Sequence, residues 1–206
     1  MTRQTILEKA LELFTDKGYE GSSMDDIAKA VGIRKASLYA HFDGKESIFT
    51  AIFEDILKEY VCSIGELTAV RAGETALDTL GRMFVDFILY CHNNLKMYFW
   101  DRYFYYPPSF MRDTMQRRTL ETQDVFLQRI SQCMEQGMQN GQLRTQPVTG
   151  AALAYYYLMI GLSMSVKLYG RDALRSDAQS AWEGLKLGLT DEPSPDNHER
   201  GILPWK

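Results

Sequence analysis

Between Ser23 and Lys45 the chain reads SMDDIAKAVGIRKASLYAHFDGK, and its reactive side chains are of the kind that grips nucleic acid. Arg34, Lys35, Ser37, Tyr39 and His41 crowd eight positions with groups that donate to phosphate oxygens and base edges. Ser23 stands ahead of them and Lys45 just behind. Elsewhere no set of residues makes a catalytic constellation. There is no phosphate-cradling glycine loop, no G-x-S-x-G and no H-E-x-x-H. Cys62, Cys91, Cys133 and His92 lack the C-x2-C or H-x3-H spacing of a metal site. The chain is read as a binder rather than an enzyme, with no cofactor and no metal.

The elements that must hold these donors are legible around them. Ser23 is a good helix N-cap, with Asp26 three positions on to complete a capping box. Met24, Ile27, Ala28 and Val31 follow at i, i+3, i+4 and i+7, one apolar face of a helix over 24–31. Gly32 ends it where a left-handed backbone costs least. A second helix is predicted from Arg34 to Phe42, with Leu38 and Phe42 inward and the donors outward; Asp43 then caps the next, with Glu46 at its N3 position. Two short helices joined by such a turn form a helix-turn-helix, in which one helix braces and the next lies in the major groove.

The same window resembles the DNA-binding signature of the tetracycline-repressor (TetR) family. The resemblance rests on Ile27-Ala28, Ala30-Val31-Gly32-Ile33, Ser37-Leu38-Tyr39, His41-Phe42 and Lys45-Glu46. The chain departs from the pattern at Ser23-Met24, where two threonines are frequent, and at Val31, Ala36 and Gly44. None of these changes removes a groove-facing hydrogen-bonding group. The resemblance implies that Ser23, Arg34, Lys35, Ser37, Tyr39, His41 and Lys45 face double-stranded operator DNA. Tyr39 and His41 would anchor the backbone, Arg34, Lys35 and Ser37 would read bases, and Lys45 would help a helix N-terminus hold phosphate. It also implies a C-terminal region that binds a small-molecule effector and pairs two subunits.

Bulk charge runs the other way. The 206-residue chain is at net −4 with a pI near 5.5. Residues 1–46 hold seven Lys/Arg against eight Asp/Glu. Distribution reconciles this with DNA binding. From Ile27 to Lys45 there are four cations (Lys29, Arg34, Lys35, Lys45) and one anion, Asp43, while acids gather on the first helix and at Asp25-Asp26. A positive stripe on an acidic body repels the duplex except where the recognition helix docks.

Periodicity is helical almost throughout, so the predicted fold is all-α. A three-helix DNA-binding domain over 1–47 precedes a helical ligand-binding and dimerisation domain over 48–190, and 191–206, rich in proline and polar residues, reads as a flexible tail. After the helix starting near Lys45, which carries Ile48, Ile52, Ile56, Tyr60 and Ile64 in one row, further helices are predicted to open at Gly73, at Lys96 and at Ser109. The last two run over 148–169 and 172–189. Residues 148–166 contain no charge, but their glycines, serines and three consecutive tyrosines make a poor lipid solute, so no membrane span is expected. Unpaired cysteines and a charged N-terminus predict the reducing cytoplasm.

The run from Tyr98 to Tyr106 holds seven aromatics in nine residues, more than one inward helix face can bury. Trp100, Tyr103 and Phe104, with Tyr156 and Met159 from another helix, are predicted to line an effector pocket. Asp86, Asp101 and Asp124 could face a cationic ligand, and His92 or Arg102 an anionic one. Small residues on the last two helices, Ala154, Gly161, Ser165, Ala178 and Ala181, together with Trp182, predict the seam of a homodimer. The function expected is a repressor released from a palindromic operator by a hydrophobic, partly aromatic molecule. The alternative is an all-helical small-molecule-binding or nucleoid-type protein without operator-specific switching.

Overall fold

The computed structural model describes residues 2–92, 94–165, 168 and 170–190, so the expected tail over 191–206 lies outside the described residues. Among these residues there are nine α-helices and no strand. The first three are α1 (Arg3–Lys17), α2 (Met24–Val31) and α3 (Lys35–Tyr39), followed by the long α4 (Lys45–Leu67). Then come α5 (Ala76–Cys91), α6 (Leu95–Tyr105), a 3-10 turn at Ser109–Met111, α7 (Arg112–Gln139), α8 (Val148–Ser163) and α9 (Arg171–Leu189).

Local chemistry explains the boundaries. At α2 the Asp26 N–H donates to Ser23 Oγ (3.2 Å) while the Ser23 N–H donates to Asp26 Oδ2 (2.9 Å), the reciprocal capping box expected from sequence. Gly32, at φ +79°, closes the helix in the left-handed region. Three expected starts are corrected. Gly44, not Asp43, caps α4, and the Ser47 hydroxyl accepts from the Gly44 N–H (3.2 Å). Helix α5 starts after Thr75, which forms a capping box with Asp78, rather than at Gly73. Ser109 opens the 3-10 turn instead of capping α7 directly. At the far end of the chain α8 stops at Ser163, with Met164 and Ser165 in a turn.

Two apolar clusters share the molecule. One joins Ile6, Phe14, Ile27, Leu38, Phe42, Ile48, Phe49 and Phe53 to Phe99 and Tyr103 of α6, to Met111 of the 3-10 turn and to Met115 of α7. The other gathers Tyr60, Phe84, Phe87, Phe126, Ile130, Tyr155, Met159 and Trp182 from α4, α5, α7, α8 and α9. Helix α4 runs from one cluster into the other, and Trp100 packs against both. The packing therefore does not divide at residue 47, because Ile48 to Leu57 complete the N-terminal core. Helices α5 and α9 come close at Gly81, where a Cβ would lie 2.6 Å from the Trp182 Nε1. No described helix is long and apolar enough to cross a membrane.

Candidate nucleic-acid interface and effector cavity

Helix α3 is only five residues long, and a single apolar side holds it. Leu38 is fully buried and Phe42 nearly so, whereas Arg34, Lys35, Ser37, Tyr39 and His41 are all exposed. The turn from α2 is fixed by the Ile33 N–H, which donates to the Ala28 carbonyl (2.9 Å). Ser23 is exposed at the N-terminus of α2, and its hydroxyl donates to Asp26 Oδ2 (2.5 Å). That bond, with the bond from the Ser23 N–H, holds the Asp26 carboxyl below its ordinary pKa. Lys35 pairs with Asp25 of α2 at 3.1 Å, and Arg3 at the start of α1 lies 4.8 Å over the Phe42 ring.

Lys45 is placed differently from the other six residues expected to face DNA. Its Nζ donates to the carbonyls of Tyr19 (2.7 Å) and Ser22 (3.0 Å) and sits 3.9 Å above the Tyr19 ring. Two of its three N–H donors are thus committed to the loop between α1 and α2. Sequence spacing contains no cue for this contact, which spans 26 residues.

The aromatic helix α6 borders two connected spaces. An inner chamber of about 90 Å³ lies among α4 to α8, walled by Tyr60, Phe87, Trp100, Phe104 and Tyr156, with Asp101, Thr122 and Gln123 as its polar groups. An outer groove of about 480 Å³ shares Trp100, Phe104, Tyr105, Thr119 and Gln123 with it and extends to Tyr103, Arg112 and Gln116. Four of the five expected lining residues therefore border these spaces. Met159 does not: it is fully buried in the C-terminal core. Sequence reading missed Tyr60 and Phe87, which look like ordinary core positions, and the α7 wall. Its cue was present in Thr119, Thr122 and Gln123, polar residues at i, i+3 and i+4 on an otherwise inward face. Burial pushes the Tyr156 hydroxyl up to about 12 and Tyr60 well above its ordinary value, so both meet a ligand as neutral hydroxyls. Asp124 lies instead on an outer surface hollow of α7.

Helix α6 also holds the end of α1. The Tyr103 hydroxyl donates to the Phe14 carbonyl (2.9 Å), and Arg102 Nη1 donates to the carbonyls of Thr15 (3.0 Å) and Asp16 (3.3 Å). The Thr15 and Asp16 carbonyls belong to the last turn, where helical donors run out, while the Phe14 carbonyl also accepts from the Gly18 N–H (3.1 Å). Gly18, at φ +84°, leaves room for the guanidinium, since a Cβ there would lie 2.7 Å from Arg102 Nη2. Phe49 of α4 meets Phe99 and Tyr103 at ring separations of 5.0 and 4.9 Å.

The expected seam residues divide. Ala154 and Gly161 are exposed on α8, Ser165 lies half-buried in the turn beyond it, and Ala181 is half-buried on α9. Ala178 and Trp182 are corrected. Both are buried inside the protomer, with Trp182 beside Gly81, Phe84 and Tyr155. The apolar stripe of α9 that carries Ala178 and Trp182 faces α5.

Comparison with known proteins agrees with this arrangement. Residues 6–52 match the family described as bacterial regulatory proteins, tetR family. Over 47 residues the chain is 55% identical to the HTH-type negative transcriptional regulator IcaR of the icaADBC biofilm operon of Staphylococcus aureus (strain Newman). That match takes in 23% of this chain and 25% of the relative, so the chain aligns with only about a quarter of the relative's length. Over the whole fold it is similar to the TetR family transcriptional regulator PfmR from Thermus thermophilus, with a TM-score of 0.69 at 24% identity, covering 98% of this chain and 99% of that one. It is also similar to the ketosteroid transcriptional regulator KstR2 of Mycobacterium tuberculosis, with a TM-score of 0.63 at 19% identity over 92% and 95% of the two chains. With the helix-turn-helix motif, the all-helical fold and the N-terminal match in agreement, residues 6–52 form a DNA-binding module of the kind found in the bacterial regulatory proteins of the tetR family, and the whole chain shares the fold of solved members.

Proposed function

We propose that this protein is a dimeric repressor that binds a palindromic operator and is released from it by a lipophilic, partly aromatic small molecule. The observation that carries the reading is the two-sided use of α6. Trp100 and Phe104 border the chamber, Arg102 on the far face holds α1, and Tyr103 borders the outer groove while its hydroxyl also bonds α1. A ligand that reshapes the chamber wall acts on a helix already bonded to the DNA-binding module. It shifts the equilibrium only if its affinity differs between the DNA-competent arrangement and the other.

On the DNA side, Arg34, Lys35 and Ser37 lie at the front of α3 to read base edges, with Tyr39, His41 and Ser23 on phosphates. Lys45 acts as a brace, holding the loop that leads into α2. On the dimer side, Ala154, Leu158 and Gly161 form an exposed stripe at i, i+4 and i+7 of α8, in which the small Ala154 and Gly161 permit a close approach to the same helix of a second copy and Leu158 supplies apolar surface. A two-fold dimer places two recognition helices on one face of a duplex.

The test uses the DNA upstream of the protein's own gene. Retardation of that fragment but not of a scrambled duplex is expected, and equal retardation of both favours the nucleoid-type alternative. Sedimentation of a 24 kDa monomer at micromolar concentration would remove the dimer. Compounds that quench Trp100 fluorescence in the wild type but not in Trp100→Phe identify chamber ligands, and the effector among them lowers operator affinity.

A further inference from the structure

From the ion pair between α2 and α3, we infer that Asp25 is a specificity-determining residue, one that restrains Lys35 from non-specific phosphate contact. The inference rests on the proposed role of α3 as the groove helix. Lys35 is the first residue of α3, and its ammonium lies 3.1 Å from Asp25 Oδ1, with both side chains about half exposed. The other role of Asp25 is the modest one of a first-turn carboxylate at a helix N-terminus. It lies in the first turn of α2, where Asp26, not Asp25, makes the capping box, and no apolar neighbour buries it. A carboxylate beside a recognition-helix lysine works against DNA binding twice, by repelling phosphate and by occupying the cation that would offset it.

That double cost falls unequally on different duplexes. Non-specific binding is almost wholly phosphate neutralisation, so a lysine held by a carboxylate adds little to it. At the operator, base-edge acceptors such as the O6 and N7 of guanine can draw the same ammonium away from Asp25 and replace what it leaves. The pair is exposed, so it is weak enough to open and is strongest at low salt. The module carries more acids than bases, and it gains discrimination from that balance rather than affinity.

The experiment compares wild type, Asp25→Asn, Lys35→Ala and the double variant on the upstream fragment and on a scrambled duplex of equal length, across a salt series. Asp25→Asn is expected to tighten scrambled-duplex binding by roughly two- to five-fold and to steepen its salt slope by up to about one unit, with a smaller gain on the operator. The specificity ratio then falls. In the Lys35→Ala background the same substitution is expected to lose most of its effect, as a coupled pair requires. Three outcomes overturn the inference while leaving DNA binding intact. They are an unchanged scrambled-duplex affinity, a gain undiminished without Lys35 (bulk charge alone), and weaker operator binding, which would make Asp25 a base reader. A wild-type protein that retards neither duplex overturns the groove-helix reading itself, and this inference with it.

Discussion

Lys45→Met separates a brace from a phosphate contact, because the two roles predict opposite patterns. Methionine keeps an unbranched stem of similar bulk and removes the ammonium, with its bonds to the Tyr19 and Ser22 carbonyls and its place over the Tyr19 ring. Burial, followed by the charges of Glu46 and Glu20, pushes the Tyr19 hydroxyl up to about 12, so the partner is a neutral ring and the ring contact is cation–π rather than an ion pair. A charged donor to a carbonyl contributes about 1.5–3 kcal/mol when buried. Lys45 is only half-buried, so water replaces part of each bond, and about 2 kcal/mol is the reasonable total for the two bonds and the ring contact. For a chain of this size that corresponds to a fall in Tm of about 4–8 °C, read by thermal unfolding at fixed protein concentration. Operator affinity is expected to drop because the α2 entry loosens, with the slope of log K against log salt unchanged. A slope shallower by roughly one unit with an unshifted Tm is the signature of a lost phosphate contact and would refute the brace.

Three further outcomes test other parts of the structure. Gly81→Ala places a methyl against Trp182 where α5 and α9 meet, and overpacking there is expected to cost about 1–3 kcal/mol in chemical denaturation with the denaturant slope unchanged. Arg82 holds the Glu74 carboxyl down from 4.5 to about 2; a lowered folded pKa means stability that is present above pH 4.5 and is lost as the pH falls towards 2. Unfolding midpoints followed between pH 5 and 2 should therefore decline less steeply in Glu74→Gln than in wild type. Burial pushes the Cys133 thiol up to about 11 and Cys91 higher still, while Cys62 is exposed, so a maleimide is expected to label one thiol quickly in the native protein and three after denaturation.

What could be read from sequence was what local chemistry decides. Helix α2 begins and ends at the residues expected because Ser23, Asp26 and Gly32 act on the backbone within a turn of themselves. The start of α4 was misread because Asp43 and Gly44 are both plausible caps, and the choice depends on Ser47 reaching back to the Gly44 N–H. Faces were readable but their partners were not. The stripe of Ala178 and Trp182 is apolar whether it meets another subunit or α5, and only the missing side chain at Gly81 reveals that Trp182 fits there. The chamber was half legible. A crowd of aromatics announced α6, but Tyr60 and Phe87 join the wall only through the crossing of α4 and α5 over it.

The aromatic excess in α6 is best understood as a requirement of having two surfaces. A helix that served one core would need one apolar stripe, with Phe99 and Tyr103 sufficient to meet Phe49. Trp100 adds a second, stacking on Phe53 at 5.9 Å and on Tyr60 at 5.5 Å, one ring from each apolar cluster, while its exposed edge borders the chamber. Phe53 and Tyr60 are two turns apart on α4, so Trp100 meets that helix where it passes from one core to the other. Arg102 on the far face, together with the Tyr103 hydroxyl, bonds three successive carbonyls of α1. Displacing Trp100 thus strains the packing of α4 and, through a rigid turn of α6, the end of α1, the two helices that frame α2 and α3. In the proposed switch, a coupling of about 1–3 kcal/mol across these contacts is enough for a five- to hundred-fold loss of operator affinity.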